Sequence, residues 1–330
     1  MIGLLVGYGS IGRRHLTNLH NLGVTDWAVV HTGSGTLPFD PPCAVRSYPT
    51  LDEALNSERP TFAVIANPTA MHVGAAVGCI ERGCDVLVEK PLAQTTAELQ
   101  KLTNAVSDSA VALLVGFQFR FEPGLRRVQE LLASNAVGAP IQANAIWGEY
   151  LPDWHPWEDW RLGYAARRDL GGGVHHTICH PFDYLRMLFG EVTEVAAAFA
   201  VDGPLGLDVP EAVDASLRFG GGMTARVHLD YWTRPRANSL EIVCDRGTIR
   251  WDYVAGQITL HADGGVPSEV EMFPGAAGRD ALFVEEARHF LDVVARRVEP
   301  ECSLDDGIAT VRLCEAIERS AARSFEPVAM

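Results

Sequence analysis

Two segments of the sequence carry side chains suited to proton transfer. Glu89-Lys90-Pro91 follows the apolar run Val86-Leu87-Val88. Proline removes a ladder donor and ends a strand, so Lys90 would project from a fixed turn at the strand's carboxyl end, the edge where open α/β sheets hold ligands. An ammonium there can stabilise a developing alkoxide or relay its proton. Farther on, Gly171-Gly172-Gly173 opens a stretch containing His175, His176, Thr177, Cys179 and His180. On one continuous helix His176 and His180 stand four residues apart and Thr177 and His180 three, so each pair would share a face. Removing hydride from a carbinol needs a base for the hydroxyl proton, and a histidine titrating near neutrality suits that task. Lys90 and a histidine of this stretch, with His176, Thr177 and His180 on the shared face, are therefore the expected groups for proton transfer, and His175 is read as packing. His176, Cys179 and His180 are also possible metal ligands. Without an HExxH pattern or a nearby carboxylate triad, no metal site is expected.

Hydride chemistry needs a carrier, and the start of the chain has a turn suited to holding one. Gly7-Tyr8-Gly9-Ser10-Ile11-Gly12 follows the apolar run Ile2-Gly3-Leu4-Leu5-Val6 and precedes a helix-like stretch. Gly7 would permit the tight strand-to-helix turn, Gly9 the approach of backbone to a pyrophosphate, and Gly12 close packing of helix on strand. Free N–H groups at the helix start would bind phosphate, with Arg13 just beyond. In such a fold an acid at the tip of the second strand bonds the adenosine ribose, whereas this sequence reads His31-Thr32-Gly33-Ser34-Gly35. His31, Thr32 and Ser34 could receive a 2′-phosphate, so the expected cofactor is NAD(P), leaning to NADP.

The elements that position these groups follow from periodicity. Five short apolar runs alternate with helical patterns up to Gly116, the rhythm of a doubly wound parallel sheet. Past a helix near 124–134 and an aromatic-rich segment, seven alternating runs separated by turns such as Gly220-Gly221-Gly222 predict a large, mostly antiparallel open sheet. Two amphipathic helices, 280–297 and 303–323, close the chain. The expected class is α/β: a Rossmann domain over 1–118 and an α/β substrate and oligomerisation domain over 119–330, whose last helices can pack back on the first. A chain of 330 residues with 47% hydrophobic content supports two buried cores. The net charge of -15 argues against nucleic acid or an anionic membrane as partner. No apolar run reaches the roughly 18 residues of a membrane span, so a cytoplasmic location is expected. Seven cysteines without CxxC pairs read as reduced thiols.

Together these segments resemble the Gfo/Idh/MocA oxidoreductases, the family of glucose-fructose oxidoreductase and inositol dehydrogenase. The resemblance rests on Gly7 to His15, on Asn67-Pro68-Thr69-Ala70-Met71-His72, on Glu89-Lys90-Pro91 and on the glycine triplet through His180. It implies that Asn67, Pro68, His72, Glu89 and Pro91 join Lys90 around the cofactor, that Lys90 positions it, and that His180 is the acid/base group. It also implies pocket residues at Gln118 and Arg120, a sugar, sugar derivative or cyclitol as substrate, and a homodimer or homotetramer built through the open sheet. Members of the family carry Asp three or four residues before the histidine, where this chain has Thr177 and His176, so His180 is expected to act with a lower pKa than in Asp-bearing relatives.

Between the two motifs, Trp147, Trp154, Trp157 and Trp160 lie among Asp, His and Arg residues. Aromatic faces stack on sugar C–H surfaces while polar neighbours bond hydroxyls, which makes Tyr150, Trp154, His155 and Arg161 substrate-facing candidates. The leading expectation is a nicotinamide-dependent dehydrogenase or reductase acting at a ring carbinol or ketone. Two alternatives share these residues: a glycosidase working by transient oxidation, and a non-catalytic sugar-sensing regulator.

Overall fold

The computed structural model describes residues 1–33, 35, 37–200, 203–262 and 267–330. The chain divides into two compact units, one of Met1–Gln118, Asp169–Gly171 and Phe283–Val311, the other of Phe119–Arg168, Gly172–Leu282 and Arg312–Met330.

The first unit is built on six parallel strands: β1 (Ile2–Val6), β2 (Asp26–Val30), β3 (Arg46–Tyr48), β4 (Phe62–Ile65), β5 (Asp85–Glu89) and β6 (Leu113–Gly116). Their spatial order is 3-2-1-4-5-6. The direction of winding reverses between β1 and β4, which creates the crevice where open α/β sheets bind ligands. The four central strands are short apolar runs because both faces of a parallel sheet are covered. Gly3 in β1 admits the rings of Trp27 and Phe62, which would stand within 2.9 Å of any Cβ there. Trp27 is fully buried and its indole N–H donates to the Val24 carbonyl at 2.9 Å. Truncating such a ring costs about 3–5 kcal/mol. The connections include α1 (Ser10–Asn21), α2 (Leu51–Ser57), α3 (His72–Ile80) and α4 (Thr96–Ser107). Thr50 caps α2 by accepting from the Glu53 N–H.

In the second unit, α5 (Pro123–Ala133) leads into β7 (Pro140–Gly148), then α6 (Val174–Thr177) and α7 (His180–Phe189). The strands β8 (Val192–Phe199), β9 (Ala212–Phe219), β10 (Thr224–Asp230), β11 (Ala237–Cys244), β12 (Gly247–Asp252), β13 (Gln257–His261) and β14 (Pro267–Met272) follow. Helices α8 (Arg279–Val294) and α9 (Leu304–Ala321) precede a short β15 (Val328–Ala329). The nine strands run 14-13-12-11-7-10-9-8-15. Every pairing is antiparallel except β7 with β10. One face packs on helices, α5 against β12 and β13, α6 against β9 and β10, α7 against β7. Inward and outward residues alternate along β9 and β11, as a half-covered sheet requires.

Three strands go beyond the periodicity: the two-residue β15, β3 and β7. β3 is a three-residue edge strand of Arg46, Ser47 and Tyr48, too short and polar to show a pattern. β7 faces inward with Ala143, Ala145 and Trp147 and outward with Ile141 and Ile146, so its apolar residues do not mark one face. A correction concerns the histidine segment. His176 and His180 do not share one helix, because α6 ends at Thr177 and α7 begins at His180. Pro181 explains the break: it has no N–H to give, and its ring would clash with the Thr177 carbonyl of a continuous helix.

Candidate active site

The glycine turn leaves β1 at the reversal of strand order. Gly7 holds φ +95°, a conformation that suits glycine, and a Cβ there would lie 2.6 Å from the Asn67 nitrogen. A Cβ on Gly12 would lie 2.1 Å from the Gly7 carbonyl oxygen, so α1 approaches the turn more closely than any larger residue permits. Gly9, the residue before α1, differs: its Cβ would meet no heavy atom within 4 Å. Ser10 and Ile11 form the first turn of α1, whose N–H groups face outward from the helix start. This is a cradle that fits a pyrophosphate, with the closest approach at Gly9. Beside it, the Arg13 guanidinium lies 4.8 Å over the Tyr8 ring and donates to the Pro38 carbonyl. His31 stacks on Phe39 with ring centroids 4.4 Å apart, and Phe39 meets Tyr8 edge-on at 4.9 Å. Thr32 is exposed at the same loop. Ser34 lies outside the described residues.

Lys90 stands directly after β5, half-buried. Its main-chain N–H donates to Glu89 Oε2 at 3.1 Å. Glu89 turns inward, with Oε1 2.7 Å from Nε2 of His15 on α1. Burial would raise the Glu89 pKa, but the His15 contact, with Lys90 and His72 adding to it, holds it below the ordinary carboxylate value. Glu286 on α8 completes this cluster. It is 0% exposed, and neither carboxyl oxygen accepts a hydrogen bond from any described donor. Burial and the neighbouring Glu89 charge push its pKa well up, opposite to the shift of Glu89 itself. The loop after β4 is tied to the Lys90 turn through His72, which is 2% exposed. One of its ring nitrogens lies 2.9 Å from the Pro91 carbonyl and the other 2.9 Å from that of Asn67. Pro68 precedes the short 3-10 turn Thr69–Met71 that leads into His72. Glu89 and His72, expected around a cofactor, are thus occupied with shaping the turn that presents Lys90.

In the second unit His180 opens α7 and is buried between two rings. Trp147 of β7 stacks on it at 5.2 Å with an 18° interplanar angle, and Phe119 tilts against it at 5.0 Å. Trp147 is itself held by its indole N–H donating to Glu149 at 2.8 Å. One turn into α7, Asp183 takes a two-pronged contact from Arg120, with Nε to Oδ2 at 2.9 Å and Nη2 to Oδ1 at 2.7 Å, both residues buried. Arg120 therefore anchors the start of α7. Gln118 is buried in the same 3-10 turn of the chain, Gln118–Phe121. Thr177 is buried near Tyr231, whose hydroxyl donates to the Ala165 carbonyl at 3.3 Å. His176 faces away along α6: its ring lies 4.0 Å from that of His175, and both approach Glu318. Burial first, then the Arg168 charge, pulls the His175 pKa down to about 3; burial and His175 pull His176 down to about 3.

The aromatic segment runs through four 3-10 turns rather than regular elements. Tyr150 has the Arg234 guanidinium 3.8 Å over its ring, and Trp154 meets Tyr231 edge-on at 5.7 Å. His155 tilts against Trp157 at 5.4 Å. Arg161 is 65% exposed and lies 4.3 Å over Trp160.

The oxidoreductase family with an NAD-binding Rossmann fold matches residues 3–117, and the GFO/IDH/MocA C-terminal domain matches residues 125–250. The chain belongs to the Gfo/Idh/MocA oxidoreductase family. Among relatives of this Gfo/Idh/MocA protein, levoglucosan dehydrogenase of Pseudarthrobacter phenanthrenivorans is 25% identical over 78% of this chain and 77% of its own. D-xylose 1-dehydrogenase (NADP(+)) 2 of Haloferax volcanii is 27% identical over 85% of this chain and 83% of its own. The WlbA dehydrogenase of Bordetella pertussis, solved with NADH and UDP-GlcNAcA, shares the fold with a TM-score of 0.86 at 20% identity, over 100% of this chain and 97% of that one.

Several residues of this Gfo/Idh/MocA protein escaped sequence reasoning. Trp147 was visible only as one tryptophan among four, and its place against His180 follows from β7, a strand the periodicity hid. Asp183, three residues past His180, was legible as a one-turn neighbour. Its partner choice was not, because ion pairing across elements leaves no local pattern. Glu286 sits in an ordinary amphipathic stretch and carries no signal at all.

Proposed function

We propose that the protein transfers a hydride between nicotinamide and a ring carbinol or ketone of a sugar, sugar derivative or cyclitol. The observation that carries this reading is the placement of two turns on one edge of the parallel sheet. The glycine turn leaves β1 and the Lys90 turn leaves β5, with β4 alone between them, a separation of roughly 10 Å at ordinary strand spacing. Gly7 to Gly12 and the first turn of α1 would hold the pyrophosphate, and Asn67, Pro68 and Pro91 lie at the loops of the same edge. A bound nicotinamide dinucleotide supplies the hydride acceptor or donor. Lys90 then presents an ammonium to the substrate oxygen, where it stabilises developing negative charge, and His180 takes the hydroxyl proton in oxidation or returns it in reduction. Trp147 and Phe119 hold the imidazole plane, and the Arg120–Asp183 pair fixes the helix end that carries it. Tyr150, Trp154, His155 and Arg161 are the candidates to face the substrate.

The lean to NADP rests on the β2 loop, where residues 31–36 contain no carboxylate and Arg13 lies beside Tyr8. The NADP(+) in the Haloferax relative's name agrees with it, and the NADH in the Bordetella structure points the other way. The outward face of the nine-stranded sheet, with Ile146 among its exposed residues, is the candidate surface for self-association. None of the helices among the described residues is long and apolar enough to cross a membrane.

The test is a screen of pyranoses, anhydrosugars, inositols and sugar nucleotides with NAD+ and NADP+ in parallel, read as reduced-nicotinamide absorbance. Turnover that His180→Ala abolishes while cofactor affinity stays intact supports the assignment. Tight cofactor binding with no turnover on any class would overturn it in favour of a sensor.

A further inference from the structure

Away from the proposed reaction, the second unit brings His175 and His176 of α6 against Glu318 of α9. Nε2 of His175 lies 2.8 Å from Glu318 Oε1, and Nε2 of His176 lies 3.8 Å from the same oxygen. Each residue offers one ligand atom, and the three atoms fall within 4.8 Å of one another. We propose that His175, His176 and Glu318 bind one divalent transition-metal ion of the zinc class.

Three observations support the site independently of one another. The first is His176 itself. It is 6% exposed, its ring has one backbone partner, Gly172, and Nε2 stands 3.8 Å from Glu318, too far for a hydrogen bond and within reach of a shared ion. Buried polar atoms are otherwise almost always satisfied, and a metal ion is one way to satisfy an imidazole lone pair. The second is spacing. Ligands at about 2.0–2.1 Å from zinc in a tetrahedral shell stand about 3.3–3.4 Å apart, and the two nitrogen-to-oxygen separations straddle that value. The third is support and access. Gly173 has φ +111°, and a Cβ there would press to 3.1 Å on the His175 ring, so the backbone makes room for that side chain. Cys314, one turn before Glu318, donates its thiol to the His175 carbonyl at 3.4 Å and ties α9 to α6. Glu318 is 43% exposed on its side chain, which leaves an entry from solvent.

The donor set selects the metal class. Two imidazoles and a carboxylate suit zinc and its neighbours, whereas magnesium and calcium prefer all-oxygen shells. Glu318 lies 143 residues beyond His175, which is why no spacing motif announces the site.

The test uses the full chain without a histidine tag, stripped with chelator, then titrated with zinc against a chromophoric competitor and with cobalt(II) for its visible spectrum. The expected result is one ion per chain, cobalt bands of a low-coordinate site, and zinc affinity reduced by more than about 100-fold in Glu318→Gln and His176→Asn, beyond the 10–100-fold that outer-shell changes cost. Zinc should also raise the melting temperature of the wild type and not that of Glu318→Gln. Because Glu318 is partly exposed, that variant retains its fold, which circular dichroism checks. Absence of a bound equivalent, or both variants losing about 100-fold or less, overturns the proposal.

Discussion

Gly9→Ala and Gly12→Ala form a matched pair that separates cofactor binding from folding. The two glycines sit three residues apart in one turn, but their surroundings differ. At Gly12 the added methyl would lie 2.1 Å from the Gly7 carbonyl oxygen and 3.1 Å from its carbon, so the turn or the helix must move by about an ångström. Overpacking of that kind costs roughly 1–3 kcal/mol and should lower the melting temperature by several degrees. At Gly9 the methyl meets nothing within 4 Å, and the backbone at φ -78°, ψ -169° is open to alanine. Alanine is a poorer residue before a helix but reduces the freedom of the unfolded chain, so stability should stay within about 1 kcal/mol of the wild type. The methyl does occupy the position from which backbone must approach a pyrophosphate. Losing one charge-assisted hydrogen bond costs about 1.5–3 kcal/mol, which weakens dinucleotide binding roughly ten- to 150-fold. Calorimetric melting and titration of nicotinamide fluorescence give both quantities. Wild-type dinucleotide affinity in Gly9→Ala, with the fold intact, would refute the placement of the pyrophosphate at this turn.

Three further outcomes follow from the geometry. Asp183→Ala leaves the Arg120 guanidinium buried without its carboxylate, and should cost about 3–5 kcal/mol in denaturant unfolding; a loss under about 1 kcal/mol would show that the pair does not anchor α7. Glu286 has a folded pKa raised by burial and by Glu89, so its contribution to stability is lost as pH climbs from the ordinary carboxylate range towards that raised value. Glu286→Gln keeps a neutral group of the same shape and should melt above the wild type by a margin that widens as pH climbs above the ordinary carboxylate range; a constant margin would contradict the raised pKa. Arg13→Ala should weaken NADP+ more than NAD+ in parallel titrations, and equal effects on both would remove Arg13 from phosphate recognition.

What the sequence made legible was whatever repeats locally. The continuous apolar strands β1, β4 and β5, the glycine turn and the proline-ended Lys90 turn are each written within a dozen residues, and the strand order placed the two turns on one edge. β7 stayed hidden because two of its inward residues are alanines, leaving Trp147 as the one large inward side chain, and isoleucines face outward. The break between α6 and α7 was readable in Pro181 but was overridden by the four-residue spacing of His176 and His180. Partnerships across distant elements were not legible at all. Arg120 pairs with Asp183, Glu89 with His15, and His176 turns towards Glu318, and in each case packing of separate elements decided which charge or ring nitrogen was met. Glu89 and His72, expected by resemblance to lie around a cofactor, are buried against the turn that carries Lys90, a placement that no local pattern announces.

The most direct test of hydride transfer follows the hydrogen itself. A sugar or cyclitol found in the substrate screen, deuterated at its ring carbinol carbons, is oxidised with NAD+ or NADP+, and the reduced nicotinamide is weighed by mass spectrometry. One deuterium per reduced cofactor, transferred as deuteride by the wild type and not by His180→Ala, is the predicted result; reduced cofactor that carries no deuterium, or a product formed with no reduced cofactor, would contradict the account.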